Sequence, residues 1–143
     1  MHGPVGFRLS LFAPLIRHDR KGAWPGRLER PLHYLLIIAH DDTFAPTERL
    51  VTEIRDWVTA MEARGVRVHG NPLRPASEAV TVRVREGEAR RKHGPFSRSR
   101  EQMCAYELIQ CAGLGVAAEV AASHPMAAAA TIEVRPVWGQ LAG

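Results

Sequence analysis

Cysteine and aromatic residues are scarce in this sequence. Cysteine occurs twice among 143 residues, at Cys104 and Cys111, and aromatic residues make up 6%. So few cysteines exclude a disulfide-rich scaffold, and neither belongs to a CxxC motif or has a histidine at metal-ligand spacing. If both lie on one strand, their offset of seven residues directs them to opposite faces, so they cannot pair with each other. We predict reduced thiols in a cytoplasmic protein that uses no metal and no cofactor.

The body of the chain also lacks an excess of charge. The formal net charge is +4, but residues 1–31 contribute all of it, with six basic and two acidic side chains. Residues 32–143 hold 13 of each sign. A local basic cluster runs from Arg83 to Arg100, yet Phe96 is the only aromatic residue near it, and single-strand binders need several stacking rings. Nucleic acid is therefore the weakest partner class, and the cluster is interpreted as a solvated face that can contact an anion.

Long apolar runs are missing as well. The first 31 residues contain a short apolar run that is broken by Pro14 and lacks the small-residue cleavage site of a secretory signal. We expect no export and no membrane partner. Residues 1–31 are predicted to be an irregular basic leader, and one hypothesis is that translation begins at Leu32, which would make the leader a start-site artefact. Residues 32–143 are predicted to form one domain.

Hydrophobic periodicity divides residues 32–143 into strands and helices. Residues 32–39 are apolar on both alternating faces, as in a strand that is covered on two sides. An amphipathic helix follows, with Pro46 in its first turn and Gly65 at its end. An alanine-rich helix ends at Pro125. The remaining strands are predicted at 66–70, 79–85, 105–111 and 131–138.

The predicted order is strand, helix, three strands, helix, strand, with Glu86 and Gly87 forming the turn of a hairpin. This order predicts an α+β fold of the ferredoxin-like split βαβ type that carries an extra β-hairpin. Both helices then lie on one face of an antiparallel sheet, and the other face needs a cover. A second copy of the sheet is the simplest cover, so we expect a homodimer that assembles as a dimeric α/β barrel.

Three segments give the sequence a family resemblance: YLLIIAHDD at 34–42, RVREGEARRKHGPFSRSREQMCAYELIQC at 83–111 and ASHPMAAAATIEVRPVW at 122–138. In their order they resemble the YCII-related proteins of the DGPF type, over residues 32–138. The resemblance implies a dimeric α+β barrel in a bacterial, cytoplasmic protein. It implies no settled activity, but it does imply a frequent gene position beside extracytoplasmic-function sigma factors.

The sequence departs from the family pattern at three places. His93 stands where the family's loop has aspartate, ahead of the Gly-Pro-Phe at 94–96, so no role of that aspartate is carried over. The first helix contains no histidine, so the His-Asp dyad implied by the smaller YCII proteins has no counterpart there. Cys104 and Ala105 replace a pair that is often Gly-Gly, which narrows the space beside the loop.

The loop around His93 has two interpretations. As a turn, Gly94 and the proline after it define the backbone, and Phe96 packs back into the core. As a site, the loop offers a histidine, a residue type that titrates near neutral pH, with Ser97 and Arg100 as hydrogen-bond donors to an anion. The turn interpretation is favoured.

His40 and Asp41 follow the first strand, in a position where ligand-binding groups often lie. A carboxylate beside His40 would hold a general base in one tautomer, but a polar turn leading into the helix is the favoured interpretation. His124, before Pro125, is interpreted first as a helix-end cap and second as a substrate contact. No pair of histidines has HxxxH or HxH spacing, so zinc is not expected.

Two functional hypotheses follow. In the first, the protein binds a small anionic molecule in a dimer cleft and acts by acid-base chemistry. The catalytic candidates are His40, Asp41 and His93, and the substrate-binding candidates are Ser97, Arg100 and His124. In the second, the protein is a non-catalytic accessory or regulatory protein associated with an extracytoplasmic-function sigma factor. The sequence decides neither the substrate nor whether the protein is an enzyme.

Overall fold

A computed structural model describes residues 32–139. The predicted leader, residues 1–31, lies outside the described residues. A short 3-10 turn at Ala76–Glu78 lies between the second and third strands. In chain order the helices and strands are β1 (Leu32–His40), α1 (Glu48–Ala63), β2 (Arg67–Pro72), β3 (Val80–Arg85), β4 (Glu88–His93), β5 (Gln102–Cys111), α2 (Leu114–Ser123), α3 (Met126–Ala129) and β6 (Thr131–Pro136).

The strands form a four-stranded antiparallel sheet and a separate two-stranded sheet. The order of the large sheet is β2-β5-β1-β6. With helices after the first and third of its strands in chain order, this sheet is compatible with the predicted ferredoxin-like fold, and the α+β class is confirmed. Among the described strands, β3 and β4 pair with each other alone. They form the predicted extra hairpin, inserted between β2 and β5.

Strand β1 lies at the centre of the core because every second side chain on it is buried. Tyr34, Leu36 and Ile38 are buried, whereas Leu35 and Ile37 on the opposite face are half-buried. The buried face packs in the core, and the half-buried face is the second apolar face for which the sequence predicts a cover. The buried residues that pack around Tyr34 and Leu36 come mainly from α1, α2 and β5: Trp57, Met61, Ile109, Cys111, Ala117, Val120 and Ala121.

Helix α1 begins at a threonine cap. The Thr47 hydroxyl oxygen accepts a hydrogen bond from the Leu50 N–H at 3.1 Å, which satisfies one of the free donors of the first turn. Pro46 lies before this cap, so the prediction that it occupies the first helical turn is wrong. The prediction for the other end is confirmed, since Gly65 follows the helix with a φ of 70°, a region that glycine enters without a Cβ clash.

The turn of the hairpin also follows the prediction. Arg85 pairs with Glu88, which leaves Glu86 and Gly87 as the two turn residues. Both have positive φ values, 52° and 76°, as a type I′ turn requires. The backbone twist of a type I′ turn matches the right-handed twist of the two strands, so β3 and β4 stay paired up to the turn.

Helix α2 is short and packs closely. It ends at Ser123, two residues before the predicted end at Pro125, and Ala117 and Ala121 are buried on it. Small side chains bring its backbone near the sheet but bury little apolar area per residue. No helix within residues 32–139 has the length and apolarity that crossing a membrane requires.

Candidate functional site

A cleft with a volume of about 350 Å³ opens at one end of the large sheet. It forms where β1 ends and β5 begins, since His40 pairs with Gln102 in the antiparallel register. The segment after β2 joins it because the Leu73 N–H donates to the Cys104 carbonyl at 2.8 Å. The lining residues belong to these segments and the loops next to them: His40, Asp41, Asp42, Leu73, Arg74, Pro75, Ala76, Arg100, Gln102, Met103 and Cys104.

The imidazole of His40 is held in one tautomer. Its Nδ1 lies 2.8 Å from the backbone carbonyl oxygen of Asp41. A carbonyl oxygen accepts and cannot donate, so Nδ1 carries the proton and Nε2 presents a lone pair. The ring also stacks on Phe44, with the ring centroids 4.5 Å apart, which restricts its rotation. His40 can therefore accept a proton at Nε2 without changing its tautomer.

The Asp41 side chain closes the turn that follows β1. Its Oδ1 accepts hydrogen bonds from the Thr43 hydroxyl at 2.5 Å and from the Thr43 N–H at 3.0 Å. These bonds stabilise the carboxylate and lower the pKa of Asp41. The Asp41 backbone, rather than its carboxylate, contacts the His40 ring. In this geometry Asp41 is a turn former at the edge of the cleft.

Two arginines bring positive charge to the cleft. Arg74 is bound to Glu78 by two hydrogen bonds, of 2.7 and 3.2 Å. Arg100 makes a longer ion contact, 3.7 Å, with Asp42, and both of these side chains are highly exposed. An exposed ion pair at that distance contributes little free energy. Arg100 can therefore exchange Asp42 for a bound anion at small cost.

Gln102 fixes the loop that carries Arg100. Its side-chain amide donates to the backbone carbonyls of Ser97 and Ser99, at 2.9 and 2.8 Å. The same residue stands opposite His40 in the register of β1 and β5. Gln102 thus connects the cationic loop to the strand end that presents the imidazole. The sequence prediction missed it because it began this strand at residue 105, three residues too late.

The two cysteines are free thiols on β5. Cys104 lines the cleft, whereas Cys111 is buried in the core. Burial raises the pKa of the Cys104 thiol, and a neutral thiol is a poor nucleophile. Elsewhere too, the described part of the chain brings no three His, Cys, Asp or Glu side chains together in a way that would hold a metal ion. The reactive group that the cleft offers is the imidazole of His40.

A second polar cluster lies in the core, away from the cleft. Glu107 is 5% exposed and His124 is 2% exposed. The Glu107 carboxylate accepts a hydrogen bond from Arg67 Nε at 2.8 Å and lies 3.4 Å from His124 Nε2. Burial by itself lowers the pKa of Arg67, but the hydrogen bonds and charges of Glu107 and Glu62 together outweigh it and raise that pKa. The charge of Arg67 is thus balanced by two carboxylates, of which Glu107 is the buried one.

Glycine at position 70 leaves room for the Glu107 carboxylate of this cluster. A Cβ atom at Gly70 would lie 1.7 Å from the Glu107 Oε1, so the carboxylate occupies the space that any larger residue would need. Arg67 Nη2 donates to the Gly70 carbonyl at 2.8 Å. His124 Nδ1 accepts from the Met126 N–H at 3.0 Å, which fixes the start of α3. The cluster therefore joins β2, β5 and the segment after α2.

The match to known protein families covers the whole described domain. The family model of the YCII-related domain matches residues 32–139. The chain belongs to the YCII-related family. The predicted resemblance and its extent are thereby confirmed. No curated protein matches the chain.

The YCII-related fold brings three of the six predicted site residues to the cleft: His40, Asp41 and Arg100. His93 ends β4 opposite Val80 and is exposed. Ser97 lies in the loop outside the cleft lining, and His124 lies in the core. The geometry therefore places His40 and Arg100 in the cleft lining and makes Asp41 a turn former beside them, and the roles assigned to all six residues stay predictions.

One prediction about the Gly-Pro-Phe loop of this YCII-related protein is wrong. Phe96 does not pack into the core, since its side chain is 77% exposed. The turn itself is present, with Gly94 at a φ of 98°. The Gly94 N–H donates to the Ala79 carbonyl at 2.7 Å, and the Gly94 carbonyl accepts from the Thr81 hydroxyl at 2.8 Å. These two hydrogen bonds hold the loop to the base of the hairpin, so no aromatic anchor is required.

Proposed function

We propose that this YCII-related protein binds a small anionic molecule in the cleft and acts on it by general acid-base chemistry. The observation that carries the proposal is the fixed tautomer of His40, whose Nε2 is left as a proton acceptor at the wall of a cleft of suitable size for a small molecule. In the proposed reaction a proton passes from the substrate to Nε2. The Nδ1–H remains bonded to the Asp41 carbonyl and stabilises the imidazolium that results.

One cationic side chain of the cleft, Arg100, supports an anionic ligand, although the lining also carries the carboxylates of Asp41 and Asp42. Arg74 is already neutralised by Glu78, whereas Arg100 has the weak contact with Asp42. A guanidinium group binds carboxylate or phosphate oxygens in a two-point geometry, which is stronger than an exposed contact at 3.7 Å. Arg100 is accordingly assigned to hold the anionic group of the substrate, and His40 to remove a proton from it.

Binding is tested by thermal unfolding of the full chain with inorganic phosphate and a series of small carboxylates and 2-oxo acids. A ligand that binds in the cleft, at about 100 times its Kd, stabilises the protein by about 2.7 kcal/mol. We expect Arg100→Gln to lose this stabilisation and Arg49→Gln to retain it. Arg49 is a matched control because it is an exposed arginine on α1, outside the cleft lining. Equal losses in the two variants would contradict an anion site at Arg100.

The role of His40 is tested with any 2-oxo acid that binds, by following the exchange of its acidic C–H hydrogens in D₂O by NMR. General-base catalysis contributes about 100-fold to about 10,000-fold in rate, so His40→Gln is expected to lower the exchange rate at least about 100-fold. His33→Gln, which changes an exposed histidine on the same strand outside the cleft lining, is expected to leave the rate unchanged. Exchange at the wild-type rate in His40→Gln would rule out the proposed base.

A further inference from the structure

One side of the cleft is apolar. The segment after β2 and the first residues of β5 form this side, here called the apolar wall, with the lining residues Leu73, Pro75, Ala76, Met103 and Cys104. Leu73 is 44% exposed and Met103 is 39% exposed, so two large hydrophobic side chains of the wall are open to solvent. Sites for small molecules are lined mainly by apolar side chains, with a few polar groups that orient the ligand.

The strand order separates the apolar wall from the charged groups of the cleft. Strand β5 lies between the end of β1, which carries His40, and the segment after β2, which carries Leu73. The hydrogen bond from the Leu73 N–H to the Cys104 carbonyl keeps that segment beside β5. Arg100 contacts Asp42, which follows β1. Because neighbouring strands are about 4.8 Å apart, the two sides of the cleft are separated by about 10 Å.

The charged side of the cleft is suited to one negative charge. Arg74 is held by Glu78 through two hydrogen bonds, whereas Arg100 makes only the weak contact with Asp42. The carboxylates of Asp41 and Asp42 also belong to the lining. A ligand with two negative charges would meet these carboxylates with one weakly held guanidinium to balance it, and like charges at short distance repel. The charges therefore favour a monoanion.

We propose that the ligand of the cleft is a monocarboxylate with an aliphatic body. Its carboxylate binds Arg100, and its hydrocarbon chain crosses β5 and packs on Leu73 and Met103. The flexible thioether side chain of Met103 adapts its shape to such a chain. These two residues determine specificity, because they contact a part of the ligand that inorganic phosphate lacks. The assignment rests on the proposed anion site and adds the chemical class of the ligand to it.

The test is a series of straight-chain carboxylates from butanoate to octanoate. Their Kd values are measured by amide chemical-shift titration of the ¹⁵N-labelled full chain. Full burial of a methylene group lowers a Kd about fourfold, and the wall is partly open, so we expect a decrease of about two- to fourfold for each added carbon. The dicarboxylate adipate is expected to bind at least about tenfold more weakly than hexanoate, because its second charge would lie against the apolar wall.

The variant Leu73→Asn with Met103→Gln nearly keeps the size of both side chains and removes their apolar surface. The ratio of Kd between butanoate and octanoate, about 16-fold or more in the wild type, is expected to fall below about fourfold in this variant. Both side chains are partly exposed, so the variant is expected to fold. The control Leu114→Asn makes the same change at an exposed leucine of α2 outside the cleft lining, and it is expected to keep the wild-type ratio.

Arg100→Gln separates the ligand class from the anion site. This variant is expected to weaken every carboxylate by a similar factor and to leave the dependence on chain length unchanged. A wild-type Kd that does not change with chain length, adipate that binds as tightly as hexanoate, or a double variant that keeps the wild-type ratio would each contradict an aliphatic ligand. If Arg100→Gln still weakens all carboxylates, the anion site stands and only the ligand class is wrong. If no carboxylate shifts the cleft amides, both are wrong.

Discussion

Replacing Gly70 with alanine is expected to lower the free energy of unfolding by about 3 kcal/mol or more, measured by urea denaturation. The new Cβ would lie 1.7 Å from Glu107 Oε1 and 2.7 Å from the backbone oxygen of Tyr106. The backbone oxygen belongs to the adjacent strand and cannot move far, so the strain falls on the carboxylate. Displacing Glu107 then breaks its hydrogen bond with Arg67 in the core.

Gly115→Ala is the matched control for this substitution. Gly115 lies in α2, and a Cβ added there would have no atom of a neighbouring group within 4 Å, so alanine fits. Alanine has a higher helix propensity than glycine, and we expect a gain of up to about 1 kcal/mol. Similar free energies of unfolding for Gly70→Ala and the wild type would show that Glu107 does not occupy the space above Gly70.

Replacing Glu107 with glutamine is expected to cost about 1.5 to 3 kcal/mol, because it removes one of the two carboxylates that lie 2.8 Å from the largely buried Arg67 guanidinium. Glutamine has nearly the same volume as glutamate, so the loss in free energy of unfolding reflects the missing charge and not a cavity. Glu62 also contacts Arg67, at 2.8 Å, but it is half-exposed and screened by water. Urea denaturation, with circular dichroism of the native state, measures this loss.

The control for Glu107→Gln is Glu53→Gln, in an exposed helical pair with Arg49. Pairs of this kind contribute about 0.3 to 0.5 kcal/mol, so the control is expected to lose no more than that. The cost of Gly70→Ala should also be smaller in a Glu107→Ala background, since the group that the new methyl displaces is already gone. Equal losses in Glu107→Gln and Glu53→Gln, or additive costs at Gly70 and Glu107, would contradict the description of this cluster.

The fold was readable from the sequence where one physical signal dominates. The apolar residues at 32–39 predict a strand in the core, and β1 has its alternate side chains buried there. The pair Glu86-Gly87 predicts a tight turn because glycine readily adopts positive φ. The predicted strand begins three residues after the true start of β5. The first residues of β5, from Gln102, are in the sheet because they pair with the end of β1, and they form no periodic apolar face that the sequence would show. Strand β4 is polar except for Ala89, so it has no apolar period of its own and is held by its pairing with β3.

The sequence predicts those parts of the candidate site that depend on local patterns and not those that depend on contacts between distant strands. His40 comes directly after the apolar residues 32–39, so its place at a strand end follows from the sequence, whereas the favoured interpretation there is a polar turn and the cleft is seen only in the structure. The contact between Glu107 and Arg67 spans 40 residues, and it depends on the register of β2 against β5. The signal that was available was a lone glutamate at an inward position of the AYELIQC strand, in step with Ile109 and Cys111. The turn interpretation predicts that Phe96 packs into the core, but the hydrogen bonds of Gly94 hold the turn without it and Phe96 is exposed.

The most direct test of the cleft as an anion site is an amide chemical-shift titration of the ¹⁵N-labelled full chain with each small anion, up to about 10 mM, a concentration that detects millimolar affinity. The proposal predicts saturable shifts at Asp41, Arg74 and residues 100–104, and their loss in Arg100→Gln. Shifts that are confined to the hairpin of β3 and β4, or that persist unchanged in Arg100→Gln, would contradict it.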